Sequence, residues 1–178
     1  MDKIDGLFRI IGRYDHYIEL ANNKANYVLA SIITVNVAMA ALLGYSEVLK
    51  FEVGFPFVGI FKVLSLICYF AFLFFSGVAI KGVNSIIFPN TSSPVGVDPS
   101  NVFFGDVGGR SHVEYAHAFK EMSCDKFIED LSFQANALAK IVSEKFNHQK
   151  DVMNTTVRQV VPFALATSSL CGLIKSLS

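Results

Sequence analysis

Three stretches of the sequence contain no charged residue: Asn26 to Ser46, Val63 to Ile80, and Gln159 to Ile174. A charged side chain at the bilayer centre costs about 2.5–3.5 kcal/mol on insertion scales, so uncharged apolar segments of about 20 residues are typical of membrane-spanning helices. We therefore predict an all-α, multi-pass membrane protein with about three transmembrane helices. Its polar residues then belong to the N-terminal arm and to a long insert between the second and third spans, where function must be sought.

The three predicted spans, 27–46, 63–81 and 159–177, differ in how well they match a bilayer. The third contains sixteen consecutive uncharged residues, which rise only about 24 Å as an α-helix. Because the hydrocarbon core is about 30 Å thick, Arg158 and Lys175 would have to extend their side chains toward the membrane surfaces. We still expect a span here, rather than a buried helix of a soluble domain.

The N-terminal arm, 1–26, is predicted to be a cytoplasmic amphipathic helix. Since no proline separates it from the first span, the arm should enter the membrane as one continuous helix. Within that span, Ser31, Thr34 and Asn36 are uncharged and can hydrogen-bond to a neighbouring helix. The apolar residues of the arm recur at helical spacing and are Ile4, Leu7, Phe8, Ile11, Tyr14, Ile18, Ala21 and Ala25.

Proline and glycine mark the connections around the second span. The link from Ser46 to Lys62 contains Gly54, Pro56 and Gly59 among four phenylalanines, which suits a turn at a membrane interface. The helix of the second span is expected to continue to about Ile87, because proline at position 89 cannot extend it. Residues 89–99, rich in Pro, Ser and Gly, indicate a loop.

The insert, 89–157, is predicted to be helical beyond that loop, and residues 100–157 should form a cytoplasmic helical domain with the arm. Ser111 and Glu114 have the spacing of a capping box and predict a short helix to about Met122. Ser123 is a suitable N-cap for the next helix, which has no breaker before Pro162. This long helix should therefore also continue into a span.

Basic residues near the span ends predict the orientation, because Lys and Arg are enriched on the cytoplasmic side. Most of them flank the arm and the insert, so the N-terminus and 89–157 are predicted to be cytoplasmic. The C-terminus of a three-span protein then lies on the opposite side. The two groups are Lys3, Arg9, Arg13, Lys24, Lys81, Lys145, Lys150 and Arg158 against Lys50, Lys62 and Lys175.

Composition and motifs argue against several classes of function. A net charge of zero disfavours binding to a nucleic-acid polymer, which requires a basic surface. His112 and His117 are five residues apart, so they do not share a helix face as the histidines of a zinc-protease helix do. The sequence contains no nucleophile elbow, phosphate-binding loop or spaced Cys/His cluster. We predict no enzymatic activity, no metal and no cofactor.

Two short runs are candidate ligand sites. Residues 101–111 combine adjacent aromatic residues, Phe103 and Phe104, with three glycines and Arg110 ahead of a helix N-terminus, an arrangement suited to an anion and a stacked base. The same residues could instead anchor a loop on the helices. Where the arm meets the membrane, Asn22 and Lys24 could present an amide and a cation, or simply mark the interface.

Taken in order, these features resemble one known family. A helix ending in A-x-x-K-A before a span, then FFG after a proline-rich loop, then a tyrosine in the next helix, is similar to the transmembrane effectors of Pycsar antiphage systems. In those systems a pyrimidine cyclase answers infection by making cyclic CMP or cyclic UMP. The matching positions are Ala21, Lys24, Ala25, Phe103, Phe104, Gly105 and Tyr115.

The resemblance implies an effector that binds a cyclic nucleotide in its cytoplasmic part and then disrupts the inner membrane, ending the infection with the cell. It also implies a partner pyrimidine cyclase, and a small protomer with three spans suggests a homo-oligomer. The family pattern has an Asp where Asn22 or Asn23 stands here, so no carboxylate role transfers to that position. The alternative is a membrane scaffold or holin-like interaction protein without ligand gating. The expected ligand-binding residues are Asn22, Lys24, Phe103, Phe104, Arg110 and Tyr115.

Overall fold

The protein is a chain of helices in the computed structural model, which describes residues 3–50, 56–88 and 100–177, without the side chains of Pro56, Phe57 and Phe104. Helices contain 90% of these residues, and no strand occurs among them. The predicted all-α class is therefore confirmed. The elements are α1 (Lys3–Tyr45), α2 (Pro56–Ile87), α3 (Phe104–Gly108), α4 (His112–Glu121), α5 (Cys124–Thr155), a π-helical turn (Thr156–Val160) and α6 (Val161–Leu177).

Three helical segments are long and apolar enough to cross a membrane: Lys3–Tyr45, Val58–Ile87 and Cys124–Leu177. The arm and the first span form one unbroken helix, as expected from the sequence. Helix α2 ends at Ile87, also as expected. Its start differs, because Pro56 to Lys62 is helical rather than part of the link; proline suits the first helical turn, where its missing N–H would be unpaired anyway.

Helix α5 continues into α6 through the π-helical turn. Val161 N–H donates to Thr156 O, five residues back. Pro162 follows this turn. In an α-helix, a proline at this position lacks the N–H that would pair with the Arg158 carbonyl, and its ring crowds that carbonyl. The wider π turn thus lies beside the proline that the sequence marks as a breaker, and the helix continues past it. The predicted loop 89–99 lies outside the described residues.

The chain forms two compact units, of which the second comprises Asn23–Ile87 and Asn147–Ser178. Its core joins apolar side chains of α1, α2 and the π turn, with Phe75 of α2 stacked on Phe163 of α6 at 5.5 Å between ring centroids. A second cluster contains Leu43, Val48, Cys171 and Ile174. It brings the C-terminal ends of α1 and α6 together beside the start of α2, as three consecutive crossings require.

Polar side chains in the first span bond to their own helix. The side chains of Ser31, Thr34 and Asn36 each donate to the carbonyl four residues earlier, at 2.8 to 2.9 Å. These bonds lie within α1, and among the described residues the expected bonds to a neighbouring helix are not seen. Such internal bonds satisfy the hydroxyl and amide groups where a bilayer supplies no water.

The first unit comprises Met1–Asn22 and Phe88–Phe146. It contains the amphipathic arm, α3, α4 and the larger part of α5, whose Leu131 is fully buried. Three aromatic rings connect the elements: Phe127 of α5 lies 6.3 Å from Phe8 of α1 and 5.9 Å from Phe119 of α4, centroid to centroid. Almost all the candidate ligand residues fall in this unit.

Gly82 of α2 provides a test of the packing in the second unit. A Cβ at this position would lie 2.6 Å from Val152 Cγ2, and valine is stiff at χ1. We expect Gly82→Ala to lower the unfolding free energy, because overpacking costs about 1–3 kcal/mol while replacing a helical glycine by alanine gains only about 1 kcal/mol. Thermal unfolding of the detergent-purified protein measures the difference.

Gly77→Ala in the same helix is the matched control, since a Cβ there meets nothing within 4 Å. It should leave the midpoint unchanged or raise it. Adding Val152→Ala to Gly82→Ala should restore the lost stability by removing the contacting methyl group. Equal midpoints for Gly82→Ala and Gly77→Ala would contradict the close approach of α2 and Val152.

Candidate functional site

Candidate ligand residues of the first unit converge on two residues, Ser100 and Asn101, which we call the Ser100–Asn101 hub. Arg110 donates through Nη1 to Asn101 Oδ1 and through Nη2 to Ser100 O, the latter at 3.4 Å. Tyr115 Oη donates to Asn101 O at 3.2 Å. The Phe103 N–H donates to Ser100 Oγ at 2.8 Å. The structure thus brings together Phe103 and Arg110, predicted from the run 101–111, and Tyr115, predicted from the family resemblance.

Two carboxylates also accept hydrogen bonds from the Ser100–Asn101 hub. Asp106 Oδ2 accepts from Ser100 N–H at 2.9 Å. Asp130 Oδ1 accepts from Ser100 Oγ at 2.6 Å, and its Oδ2 accepts from Asn101 N–H at 2.8 Å. Sequence reasoning did not single out either acid or Ser100. Asp130 lies about thirty positions from the hub, and no spacing rule connects residues that far apart.

The ring of Phe103 folds back over Gly105. A Cβ on Gly105 would lie 2.6 Å from Phe103 Cε1, so the glycine leaves the space that the ring occupies. Phe103 is also the extended residue that precedes α3, a five-residue helix that the sequence analysis did not predict. This contact is local, between residues two positions apart in the chain. The Phe104 side chain lies outside the description.

The helix N-terminus beyond the glycines is already capped. Ser111 Oγ accepts from Glu114 N–H, and the Glu114 carboxylate accepts from Ser111 N–H at 3.0 Å, which confirms the predicted capping box of α4. Hydrogen bonds from Ser111, with a smaller contribution from the Arg110 charge, lower the pKa of Glu114. A carboxylate at this end would repel an incoming anion. Arg110 is therefore a better candidate than the helix terminus for contact with an anion.

Asn22 and Lys24 have different surroundings. Asn22 Oδ1 accepts from Lys145 Nζ at 2.9 Å, and Lys145 is only 7% exposed. Burial lowers the pKa of the Lys145 amine, which precedes the uncharged stretch of the third span. Lys24 is exposed and belongs to the second unit. Because Lys24 follows Asn22 by two residues in an α-helix, the directions of the two side chains differ by about 200° around the helix axis.

The histidines show no arrangement suited to a metal. Within the described ranges, no group of three or more His, Cys, Asp or Glu side chains is placed to hold an ion. His117 Nδ1 lies 3.4 Å from a carboxylate oxygen of Glu121, one turn later on α4. Both side chains are largely exposed, and such a surface pair contributes little to stability.

The fold and the sequence define a helical membrane protein. The model of the Pycsar effector protein domain matches residues 6–172, nearly the whole chain, so the protein belongs to the Pycsar effector family. The chain is accordingly an antiphage effector, in a family named for an effector rather than for a catalytic reaction. Searches of curated proteins and of solved structures gave no match.

Gly105→Ala should displace the Phe103 ring, since the new methyl group would occupy the position of its edge. We expect faster hydrogen exchange of the Val102 and Phe103 amides, both of which donate to Ser100 Oγ. Gly108→Ala is the control in the same short helix, because a Cβ there meets nothing within 4 Å. Unchanged exchange in Gly105→Ala would contradict the packing of Phe103 on Gly105.

The capping box predicts a pH dependence of stability. Since the folded pKa of Glu114 lies below its ordinary value of 4.5, ionised Glu114 stabilises the fold above that pH, and this contribution is lost as pH falls through the folded pKa. Glu114→Gln should therefore lower the thermal midpoint at neutral pH. The difference from the natural chain should shrink between about pH 5 and pH 3.

Glu129→Gln, on exposed α5 surface, controls for the loss of one acid. It should change the midpoint little across the range. A Glu114→Gln difference that stays constant down to the lowest pH would show that the carboxylate charge contributes nothing at this helix end.

Proposed function

We propose that this effector binds a cyclic pyrimidine mononucleotide, cyclic CMP or cyclic UMP made by a partner pyrimidine cyclase, and then disrupts inner-membrane integrity, causing abortive infection. The sensing part is 1–26 with 89–157, and the spans 27–46, 63–81 and 159–177 are the output. The observation that carries the proposal is the meeting of Phe103, Arg110 and Tyr115 at the Ser100–Asn101 hub in a chain of the Pycsar effector family.

The chemistry of the hub suits such a ligand. A cyclic mononucleotide carries one negative charge and one base. Arg110 offers a planar fork of donors that can bind a phosphate through two hydrogen bonds. Its partners at the hub include two neutral acceptors, Asn101 Oδ1 and Ser100 O. A phosphate is a stronger acceptor than either, so it can compete for the guanidinium.

Aromatic rings near Arg110 can take the base. Tyr115 is half-buried, with its ring centroid 6.0 Å from that of Phe119 on the same helix. Stacking of a base on an aromatic ring is worth about 1–3 kcal/mol and tolerates different bases. Discrimination of cytosine from uracil then requires hydrogen bonds to the base edge. Phe104 belongs to the proposed site by its place in the FFG motif, as do Asn22 and Lys24 by their place in the family pattern.

The proposed effect on the membrane follows from the continuity of two long helices. Helix α1 runs from the arm through the first span, and α5 continues through the π turn into α6. A ligand that changes how the cytoplasmic parts of these helices pack would tilt or rotate the spans, provided that it binds the two arrangements with different affinity. Three spans in one protomer cannot enclose a wide pore, so we propose a homo-oligomer. The excess of Lys and Arg flanking the arm and insert supports a cytoplasmic location for both.

Nucleotide gating can be tested with the full chain in detergent and in cells. Cyclic CMP, cyclic UMP, cyclic AMP and a cyclic dinucleotide are compared by thermal shift; a ligand at 100 times its dissociation constant adds about 2.7 kcal/mol to the unfolding free energy. One of the pyrimidine nucleotides should raise the midpoint. Co-expression with a pyrimidine cyclase should depolarise the cells, and Arg110→Ala should prevent both effects.

Lys120→Ala removes one exposed cation from α4 and is the matched control, which should leave binding and depolarisation intact. A natural chain that binds none of the four nucleotides would overturn the proposal. Toxicity that is independent of any nucleotide would favour the scaffold or holin-like alternative instead.

A further inference from the structure

Asp130 of α5 accepts hydrogen bonds from the hub through both of its carboxylate oxygens. Oδ1 accepts from the Ser100 hydroxyl at 2.6 Å, and Oδ2 accepts from the Asn101 N–H at 2.8 Å. Two hydrogen bonds to one carboxylate fix both the position and the orientation of the backbone that donates them. Asp130 therefore fastens the hub to α5.

The Ser100 hydroxyl extends this contact toward the proposed ligand residues. While donating to Asp130, its oxygen accepts from the Val102 and Phe103 N–H groups at 3.0 and 2.8 Å. Ser100 is 7% exposed, so water competes little for these bonds. Hydrogen bonds of Ser100 thus connect the Phe103 backbone with Asp130.

The other side chains that hydrogen-bond to the hub belong to different elements. Asp106 belongs to α3, Tyr115 to α4, and Arg110 to the connection between them. Of these helices, only α5 continues into a membrane-spanning segment. Asp130 therefore provides a direct connection from the hub to that helix, beside the contact of Phe127 with Phe119 of α4.

We propose that Asp130 is a positioning residue that couples the hub to α5, so that a change at Arg110 or Tyr115 reaches the third span through this carboxylate. The inference rests on the proposed function for its ligand, a cyclic pyrimidine mononucleotide whose phosphate competes for Arg110. When Arg110 leaves Asn101 and Ser100, the hub loses contacts on the α3–α4 side and keeps those to Asp130. The hydrogen bonds to Asp130 of α5 then form a larger share of the contacts that hold the hub.

The first experiment separates binding from output. The full chain is reconstituted in vesicles of phosphatidylethanolamine and phosphatidylglycerol, and cyclic CMP and cyclic UMP are added while dye release and nucleotide affinity are measured. Asp130→Asn keeps one acceptor oxygen and loses the charge. We expect its affinity to stay within about threefold of the natural chain while nucleotide-dependent release falls at least about tenfold, in the usual range of coupling effects.

Two further variants keep the result interpretable. Ser100→Ala removes the hydroxyl that donates to Asp130 Oδ1 and should also reduce nucleotide-dependent release. Because it removes the acceptor of the Val102 and Phe103 N–H groups as well, its loss can exceed that of Asp130→Asn, but the double variant should lose less than the sum of the two single losses. Glu129→Gln removes the neighbouring exposed acid of α5 and should release dye normally. Full release by Asp130→Asn at saturating nucleotide would overturn the inference, as would equal losses of binding and release.

A second experiment requires no nucleotide, so it separates failure of this inference from failure of the proposed function. Tyr115→Phe removes the hydroxyl that donates to Asn101 O. Hydrogen exchange of α5 amides around Asp130 should quicken at least about fivefold in the natural background, and less than twofold with Asp130→Asn present. Equal quickening in both backgrounds would overturn the coupling, whereas a natural chain that binds no nucleotide would overturn the proposed function alone.

Discussion

The exclusion of charge and of unpaired backbone groups from the bilayer is the constraint on which this structure depends. It requires each spanning segment to be a helix that satisfies its own hydrogen bonds, and the hydroxyls and amide of Ser31, Thr34 and Asn36 follow the same rule by bonding to carbonyls of their own turn. Side chains that can recognise an ionic ligand are consequently left to the rest of the chain. The hub lies there, and two long helices connect that part with the spans.

The junction between α5 and α6 shows how the third segment remains helical despite an unfavourable residue. Proline removes one hydrogen bond and crowds the carbonyl four residues back, which in an ordinary helix costs about 3 kcal/mol or more. Here a π turn over Thr156–Val160 immediately precedes it. Insertions of this kind are frequent at functional sites. A π turn can also change the rotation of one helical part relative to the next, so this junction is a natural place for movement of α5 to alter the orientation of α6.

Local signals in the sequence were sufficient for the long helices and several of their ends, but not for the start of α2 or for the short helix α3. The capping box at Ser111 and Glu114, the end of α2 near Ile87 and the unbroken arm all follow from residues within one or two turns of each other. The hub did not follow, because the contact of Asp130 with Ser100 joins residues far apart in the chain. The separate contact of Lys145 with Asn22 did not follow for the same reason. Aromatic, glycine and arginine types in 101–111 predicted where a site would be. They could not show that Arg110 and Tyr115 hold a backbone segment fastened to α5.

The energetics of such a switch bear on its assembly. Moving a two-state equilibrium from 1:99 to 99:1 requires a ligand to prefer one state by about 10⁴-fold, or about 5.5 kcal/mol. Micromolar binding corresponds to a free energy of only about 8.2 kcal/mol. In a single protomer, the switch would therefore require most of the binding free energy of a small nucleotide with one charge and one base. In a symmetric oligomer that changes state together, each bound ligand contributes its own preference to a shared transition. Several sites with modest coupling then suffice, which is a physical reason, separate from pore size, for a membrane effector of this kind to act as an assembly.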